Sequence, residues 1–406
     1  MKHLYLLFVM TLLMVSGCRQ TSEKEPQPQE TEQKESTPEQ KTESTEPGMA
    51  VDTNEEEREL TPKDTVYSRY GRTAILEDGS TELISPASHV RFRAMGDTTV
   101  VRLETAGEAH GYALVTLNET FSWKFRLPGS GISEIPIPMG NKDAWHELAV
   151  YKLTEAHNGG VIFHGAQAES LKTTGIAPEL HIEFIGNSIT CGYGADATEI
   201  PCGEGVSYDQ HNPYEAYAAR VARELRAGYN LSAVSGIGIY RNYREDRKET
   251  MPEIYGYLYL DDGRQATWDP DGWNPDIVSI CLGTNDFSRG SDPENRAAFD
   301  PEQFTNAYIK FVEDLNLRYP EAAFALLNSP MVTGENTAVL EEALSKVQSH
   351  FSDTEIIEVF KFEDVGLAGC ATHPGLEDHE LMADQIRPFY INLLDKVAER
   401  DGLLVE

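Results

Sequence analysis

The chain has 406 residues, 34 of them Lys or Arg and 67 Asp or Glu, for a formal net charge of −33; hydrophobic residues make up 40% and aromatics 9%. That apolar content excludes disorder along the whole chain, and the negative charge argues against a nucleic-acid-binding surface, because a polyanion would be repelled. At roughly 100–200 residues per domain the length fits two domains or three, and no fixed-period repeat points to a solenoid or propeller.

Lys2 and His3 precede an almost wholly apolar run, Leu4 to Val15. A dozen residues is too short for a free-standing transmembrane helix and suits a signal-peptide core. The run leads into Ser16-Gly17-Cys18. Small residues before a cysteine resemble the bacterial lipobox, which implies cleavage before Cys18 and lipidation of its thiol. The bland alternative is an ordinary secretory signal with an incidental cysteine. No other apolar run is long enough to span a bilayer, so membrane contact is expected through the lipid anchor only. The expected location is the bacterial outer membrane, facing either the periplasm or the cell exterior. Residues 19–62 are rich in Glu, Gln, Thr, Ser, Pro and Lys and contain no aromatic, which reads as a disordered tether.

Four cysteines remain beyond Cys18. Export permits disulfides, and Cys191 and Cys202, eleven positions apart across a glycine-rich loop, are a candidate pair. Cys281 lies in an apolar run and reads as a buried thiol. No Cys/His spacing suggests zinc.

Residues 63–178 read as all-β. Alternating runs at His89–Arg93, Thr99–Leu103, Tyr112–Val115, Glu147–Tyr151 and Gly160–Phe163 are punctuated by Gly, Pro, Asp and Asn. The spacing predicts an antiparallel sandwich or jelly roll. From 179 to 406 short apolar strands alternate with amphipathic helices. The strands are Leu180–Ile185, Tyr229–Val234, Asp276–Leu282, Ala322–Leu327 and Thr354–Val359; the helices are Pro213–Ala227, Pro301–Arg318, Thr337–His350 and Pro374–Glu399. Each of Pro213, Pro301 and Pro374 is placed in a first helical turn, where a missing N–H costs nothing. The pattern predicts a three-layer α/β/α domain with a five-stranded parallel sheet. A ligand site is then expected beyond the carboxyl ends of the strands.

Four strand ends carry chemistry. Ser188, in Gly186-Asn187-Ser188-Ile189-Thr190, sits where a turn exposes a hydroxyl near backbone N–H groups. Gly236 and Gly238, in Ser235-Gly236-Ile237-Gly238, let the backbone approach a ligand. Asn285 offers a side-chain donor, and His373 precedes Pro374 in a loop over the sheet edge. Singly each is weak; their conjunction after strands, in the order Ser, Gly, Asn, His, is not.

These blocks resemble the SGNH (GDSL-type) hydrolase superfamily, with Asn187 where many members carry Asp. The wider pattern resembles carbohydrate esterase family 2, which joins an N-terminal jelly roll to an SGNH domain. It rests on Gly186–Gly192, Tyr193-Gly194, Ser235–Tyr243, Glu249–Pro252, Trp273–Asp276, Leu282–Phe287 and Gly369-Cys370 before His373-Pro374. The resemblance implies Ser188 as nucleophile and His373 as general base and acid. It implies an oxyanion hole of the Ser188 and Gly236 N–H groups with the Asn285 side chain, Gly238 being a substitute for Gly236. Trp273 and Tyr240 are implied as sugar-binding aromatics, each with an ordinary packing role as the alternative; Trp268 and Tyr193 stay undecided. No metal or cofactor is implied.

One departure stands out. Relatives often place an Asp two or three residues before the histidine, where this chain has Ala371 and Cys370. Either a backbone carbonyl orients the imidazole in a Ser–His dyad, or a carboxylate arrives from elsewhere, with Asp364, Glu377 and Asp378 nearest. His379 reads as a packing residue and Asp286 as a loop brace. The implied activity is deacetylation of acetylated polysaccharide or oligosaccharide of the xylan or mannan type. The alternatives are an esterase of other short acyl esters or acetylated surface glycans, and a sugar-binding lipoprotein with weak chemistry.

Overall fold

The computed structural model describes residues 66–402 apart from 176, 262, 270–271 and 352–354. The expected signal peptide, Cys18 and the expected tether at 19–62 lie outside the described residues.

Among the described residues eleven strands form the N-terminal domain: β1 Ser68–Tyr70, β2 Thr73–Ile75, β3 Thr81–Leu83, β4 His89–Met95, β5 Thr98–Thr105, β6 Gly111–Leu117, β7 Phe121–Leu127, β8 Ser133–Pro138, β9 His146–Lys152, β10 Val161–Gln167 and β11 Ser170–Lys172. All pair antiparallel, in one sheet ordered β1-β4-β9-β6-β7, with β11 beside β4, and a second ordered β2-β3-β10-β5-β8. Pro136 and Pro138 fall in β8, an edge strand paired only to β5, where a missing N–H breaks no ladder.

The alternation along β6 shows how this domain is used. Ala113, Val115 and Leu117 enter the sandwich interior, while Tyr112 and Leu114 join the core of the following domain. In β9, Leu148 and Val150 face inward and Ala149 and Tyr151 face the neighbour. A strand in the first sheet is therefore apolar on both faces, one for each domain. Arg72 pins the junction from the β1–β2 turn. It is fully buried, donates to Ser232 Oγ and to the carbonyls of Tyr255 and Tyr257, and lies 3.8 Å over the Trp268 ring. Trp268 is thus a structural platform for an arginine.

The second domain holds five parallel strands: β12 His181–Gly186, β13 Gly228–Ala233, β14 Ile277–Cys281, β15 Ala323–Leu327 and β16 Ile357–Phe360, ordered β13-β12-β14-β15-β16. Among the described residues its six α-helices are, in chain order, α1 Tyr217–Glu224, α2 Met251–Ile254, α3 Thr284–Phe287, α4 Pro301–Arg318, α5 Glu335–Phe351 and α6 Leu376–Arg400. Apolar residues of α1 and α6 pack with Ile182 and Phe184 on one face of the sheet. Those of α4 and α5 pack with Ile185, Ile280 and Leu326 on the other. The chain goes from β12 to β13 on one side and then to β14 on the other, so the crevice past β12 is the topological switch point.

Two predicted helix starts are corrected. Pro301 opens α4, whose N-cap Asp300 accepts from the N–H of Glu302 and Gln303. Pro213, however, precedes α1 by four residues, because Asn212 Oδ1 accepts the Glu215 N–H in a local turn that competes with helix. Pro374 precedes α6 by two; it holds His373 extended, at φ −93° and ψ 164°. The Cys191–Cys202 pairing is also corrected: Cys202 bonds to Cys370, and Cys191 is a free, buried thiol. Cys281 is a buried thiol. Among the described residues no cluster of His, Cys, Asp or Glu is built to hold a metal ion, and no helix is long and apolar enough to cross a membrane.

Candidate active site

Ser188 follows β12 on a tight turn in which the N–H of Cys191 donates to the Asn187 carbonyl and that of Tyr193 to the Ser188 carbonyl. No α-helix begins there, so Ser188 is not a helix N-cap. The turn needs Gly186: a Cβ at that position would lie 2.0 Å from Thr190 Oγ1. Asn187 ties the turn sideways, its Nδ2 donating to Thr284 Oγ1 at 3.1 Å, one residue before Asn285.

His373 arrives from the far end of the chain, with Nε2 2.8 Å from Ser188 Oγ. Its Nδ1 lies 3.0 Å from the Ala371 carbonyl. A carbonyl only accepts, so Nδ1 carries the proton and Nε2 is left as acceptor for the serine hydroxyl. Ala371 and Thr372 adopt φ of 52° and 57°, and this left-handed pair turns the Ala371 oxygen back onto the ring. None of the three acids named above takes that place. Asp378 instead accepts from the N–H of Ala368 and Gly375, bracing the loop. Burial pushes the His373 pKa below its ordinary value, against the Ala371 hydrogen bond and the charge of Glu155. The imidazole is therefore neutral, and a base, at neutral pH.

Gly236 follows β13 at φ 79°. Among the described residues the N–H groups of Ser188 and Gly236 have no protein acceptor. The Gly238 N–H donates to Asn242 Oδ1 at 2.9 Å and is thereby consumed, which removes Gly238 as the substitute donor. Asn285, buried after β14, spends one Nδ2 hydrogen on the Ile237 carbonyl at 2.7 Å and keeps the other. Asp286 is fully buried and accepts the N–H groups of Ile239, Tyr240 and Arg241. Burial raises its pKa to about 6 despite these donors. It shapes the loop beside the site.

The aromatic expectations are redistributed. Trp273 is corrected: its indole N–H donates to buried Glu183 and its ring meets His181 edge-on. His181 opens β12 and Ser188 lies past its other end, roughly 20 Å away for a six-residue strand. Tyr240 stays at the correct sheet edge, but its ring packs on Phe299 and Phe304 and its hydroxyl accepts from the Asp300 N–H. Tyr193, undecided from sequence, has its ring centroid 4.7 Å from that of His373 and 4.6 Å from that of His211. His379 is fully buried and accepts the Tyr217 N–H. Sequence reading missed Glu155 and His211. Neither sits in a motif, and Glu155 belongs to the other domain.

A serine at a switch point, a neutral imidazole on its hydroxyl and free donors on the flanking strand ends are an arrangement that can carry acyl transfer. Residues 184–405 match the GDSL-like lipase/acylhydrolase family, and residues 69–178 match the carbohydrate esterase 2 N-terminal domain. The chain belongs to the GDSL-like lipase/acylhydrolase family, a family of carboxylic ester hydrolases, and carries the carbohydrate esterase 2 N-terminal domain. It is 29% identical over 310 residues to the cellulase/esterase CelE of Acetivibrio thermocellus, covering 74% of this chain and 36% of that protein, so it spans about a third of that relative. It is 29% identical over 248 residues to an acetylxylan esterase / glucomannan deacetylase of Cellvibrio japonicus, covering 59% of this chain and 67% of that one. Among solved structures, a family two carbohydrate esterase from Clostridium thermocellum in complex with cellohexaose superposes with a TM-score of 0.71 at 25% identity, over 83% of this chain and all of that one.

Proposed function

We propose that this protein removes O-acetyl groups from hemicellulose of the xylan or mannan type through a Ser–His acyl-enzyme mechanism. The observation that carries the reading is the 2.8 Å contact between His373 Nε2 and Ser188 Oγ, with the ring's other nitrogen anchored on a backbone carbonyl. The acetylxylan and glucomannan activities of the Cellvibrio relatives support the substrate class.

Ser188 Oγ attacks the acetyl carbonyl while its proton passes to His373 Nε2. The oxyanion accepts from the Ser188 and Gly236 N–H groups and the free Asn285 Nδ2–H. The sugar hydroxyl leaves with the proton from His373, and the acetyl group stays on Ser188. Water then attacks, giving its proton to His373, and acetate departs as Ser188 is reprotonated. The Ala371 carbonyl favours the imidazolium by its dipole, in the place of an aspartate.

We also propose that the chain is exported and anchored through Cys18, with residues 19–62 as tether. The Cys202–Cys370 disulfide supports an oxidising compartment. Replacing Cys18 with Ala is expected to release the protein from membranes; retention overturns the anchor.

The test of activity is acetate release by the folded chain from acetylated xylan and acetylated glucomannan, beside Ser188→Ala. Release abolished by the substitution supports the mechanism. A folded wild-type protein that frees no acetate from either polymer refutes the substrate class.

A further inference from the structure

Glu155 sits between β9 and β10 in the β-sandwich domain, yet its carboxylate ends inside the α/β domain. Its side chain is 1% exposed. One oxygen accepts the Ser235 N–H at 2.7 Å and the other accepts the Ser235 hydroxyl. The Gly236 N–H lies in the peptide that follows Ser235, so a two-point grip on Ser235 fixes one end of the turn that carries it. The next residues are held as well: the Gly236 carbonyl accepts from the Tyr243 N–H, and the Ile237 carbonyl from Asn285 Nδ2. Behind Glu155, buried Lys152 Nζ donates to the backbone carbonyls of Thr154 and Glu155, fixing the segment that carries the carboxylate.

We propose that Glu155, supplied by the β-sandwich domain, is a positioning residue of the esterase site: it holds the Ser235–Gly236 turn so that the Gly236 N–H points at the developing oxyanion. The N-terminal domain is then a working part of the active site, and a catalytic domain expressed without it lacks an ordered oxyanion donor. This inference rests on the esterase reading of Ser188 and His373.

A buried carboxylate this close also acts through its charge. The groups facing it are His157 Nδ1 at 3.4 Å, His211 Nδ1 at 3.8 Å, the Cys191 thiol and Lys152, and its charge is felt at His373. Burial pushes the Glu155 pKa up, but His157, His211 and the Ser235 donors outweigh it and keep the group ionised. Its negative charge favours the protonated form of His373, the form that develops in the transition state.

The test compares wild type, Glu155→Gln, Glu155→Asp and Ser235→Ala in the full chain, with an aryl acetate and acetylated xylan as substrates. Glu155→Gln keeps the shape and removes the charge. Its kcat is expected to fall roughly 10–100-fold, less than the loss of a whole oxyanion donor, with KM within about twofold. The acidic limb of kcat/KM is expected to move to lower pH, and Glu155→Asp to bring it back. Ser235→Ala, combined with Glu155→Gln, is expected to add little, because both act on one turn. Wild-type kcat and an unmoved limb in folded Glu155→Gln overturn the proposal, as do strictly additive losses. If Glu155→Gln does not fold, a soluble Ser235→Ala enzyme with wild-type kcat overturns it. No hydrolysis by the wild type is a different result: it refutes the esterase reading on which the proposal rests.

Discussion

Opening the Cys202–Cys370 bridge is the perturbation that most directly tests how the histidine is held. Cys370 is the residue before Ala371, whose carbonyl orients His373. The loop is otherwise tied to its surroundings by the Cys370 N–H on the Gly194 carbonyl and by Asp378 on Gly375 and Ala368. Ala371 and Thr372 are left-handed without being glycine. Such residues cost on the order of 1–3 kcal/mol each and persist only where the surroundings over-determine them. Cys202→Ser removes one of those constraints. If about 1–2 kcal/mol of this strain then favours relaxation, the oriented imidazole is depopulated and kcat falls roughly 5–30-fold. Global stability falls too. The bridge closes a span of 168 residues, for which the chain-entropy model gives about 5 kcal/mol and measured bridges typically about 2–4. For a chain of this size that is roughly 3–6 °C in melting temperature. The assay is aryl acetate hydrolysis and thermal unfolding of wild type, with and without reductant, beside Cys202→Ser. Stability lost with kcat intact would show that the bridge staples the fold without holding the dyad. Neither quantity changing would refute the whole argument.

Three further outcomes follow from the site and its surroundings. Asp378→Asn, which keeps an oxygen to accept from Gly375 and Ala368, is expected to lower turnover by less than about tenfold, whereas His373→Ala abolishes it; equal losses in steady-state kinetics would overturn the backbone-oriented dyad. Because burial depresses the His373 pKa, the acidic limb of kcat/KM is expected below pH 6.5, activity falling as pH drops through that lowered value and the base becomes protonated; a limb above 6.5 in a pH–rate profile contradicts this. His89, His211 and His379 are buried and held down to about 3, 4 and 3. Below the unfolded value of about 6.5 the unfolded chain therefore binds more protons, and these three groups subtract stability as pH falls towards 4. Asp286, raised to about 6, and Glu183, also raised, act in the opposite sense. The net expectation is a melting temperature that drops between pH 6.5 and 4; a rise on acidification would show that the carboxyls dominate.

Periodicity alone was enough for the architecture. Alternation at 89–93 and 147–151 is a two-residue pattern that only a strand satisfies, and the runs at 180–185 and 322–327 are apolar on both faces, as a covered parallel sheet requires. Ser188, Gly236 and Asn285 were legible because each follows a strand within a few residues, where local turn chemistry is written in the chain, and His373 because it stands directly before Pro374 at the approach to the last helix. Four things were not. What orients His373 depends on two left-handed residues, Ala371 and Thr372, whose types do not announce that conformation. The partner of Cys202 is 168 residues away, and spacing favours a neighbour that geometry rejects. Trp273 shares a strand's sequence neighbourhood with the site but lies at the strand's other end. Glu155 reaches Ser235 across 80 residues and a domain junction. The chain by itself determined which elements form and which of their ends carry reactive groups, because those follow from local sterics and from the burial of apolar faces. Only the tertiary structure decided which distant backbone oxygen, thiol and carboxylate serve them, because those contacts are set by how two packed domains share one core.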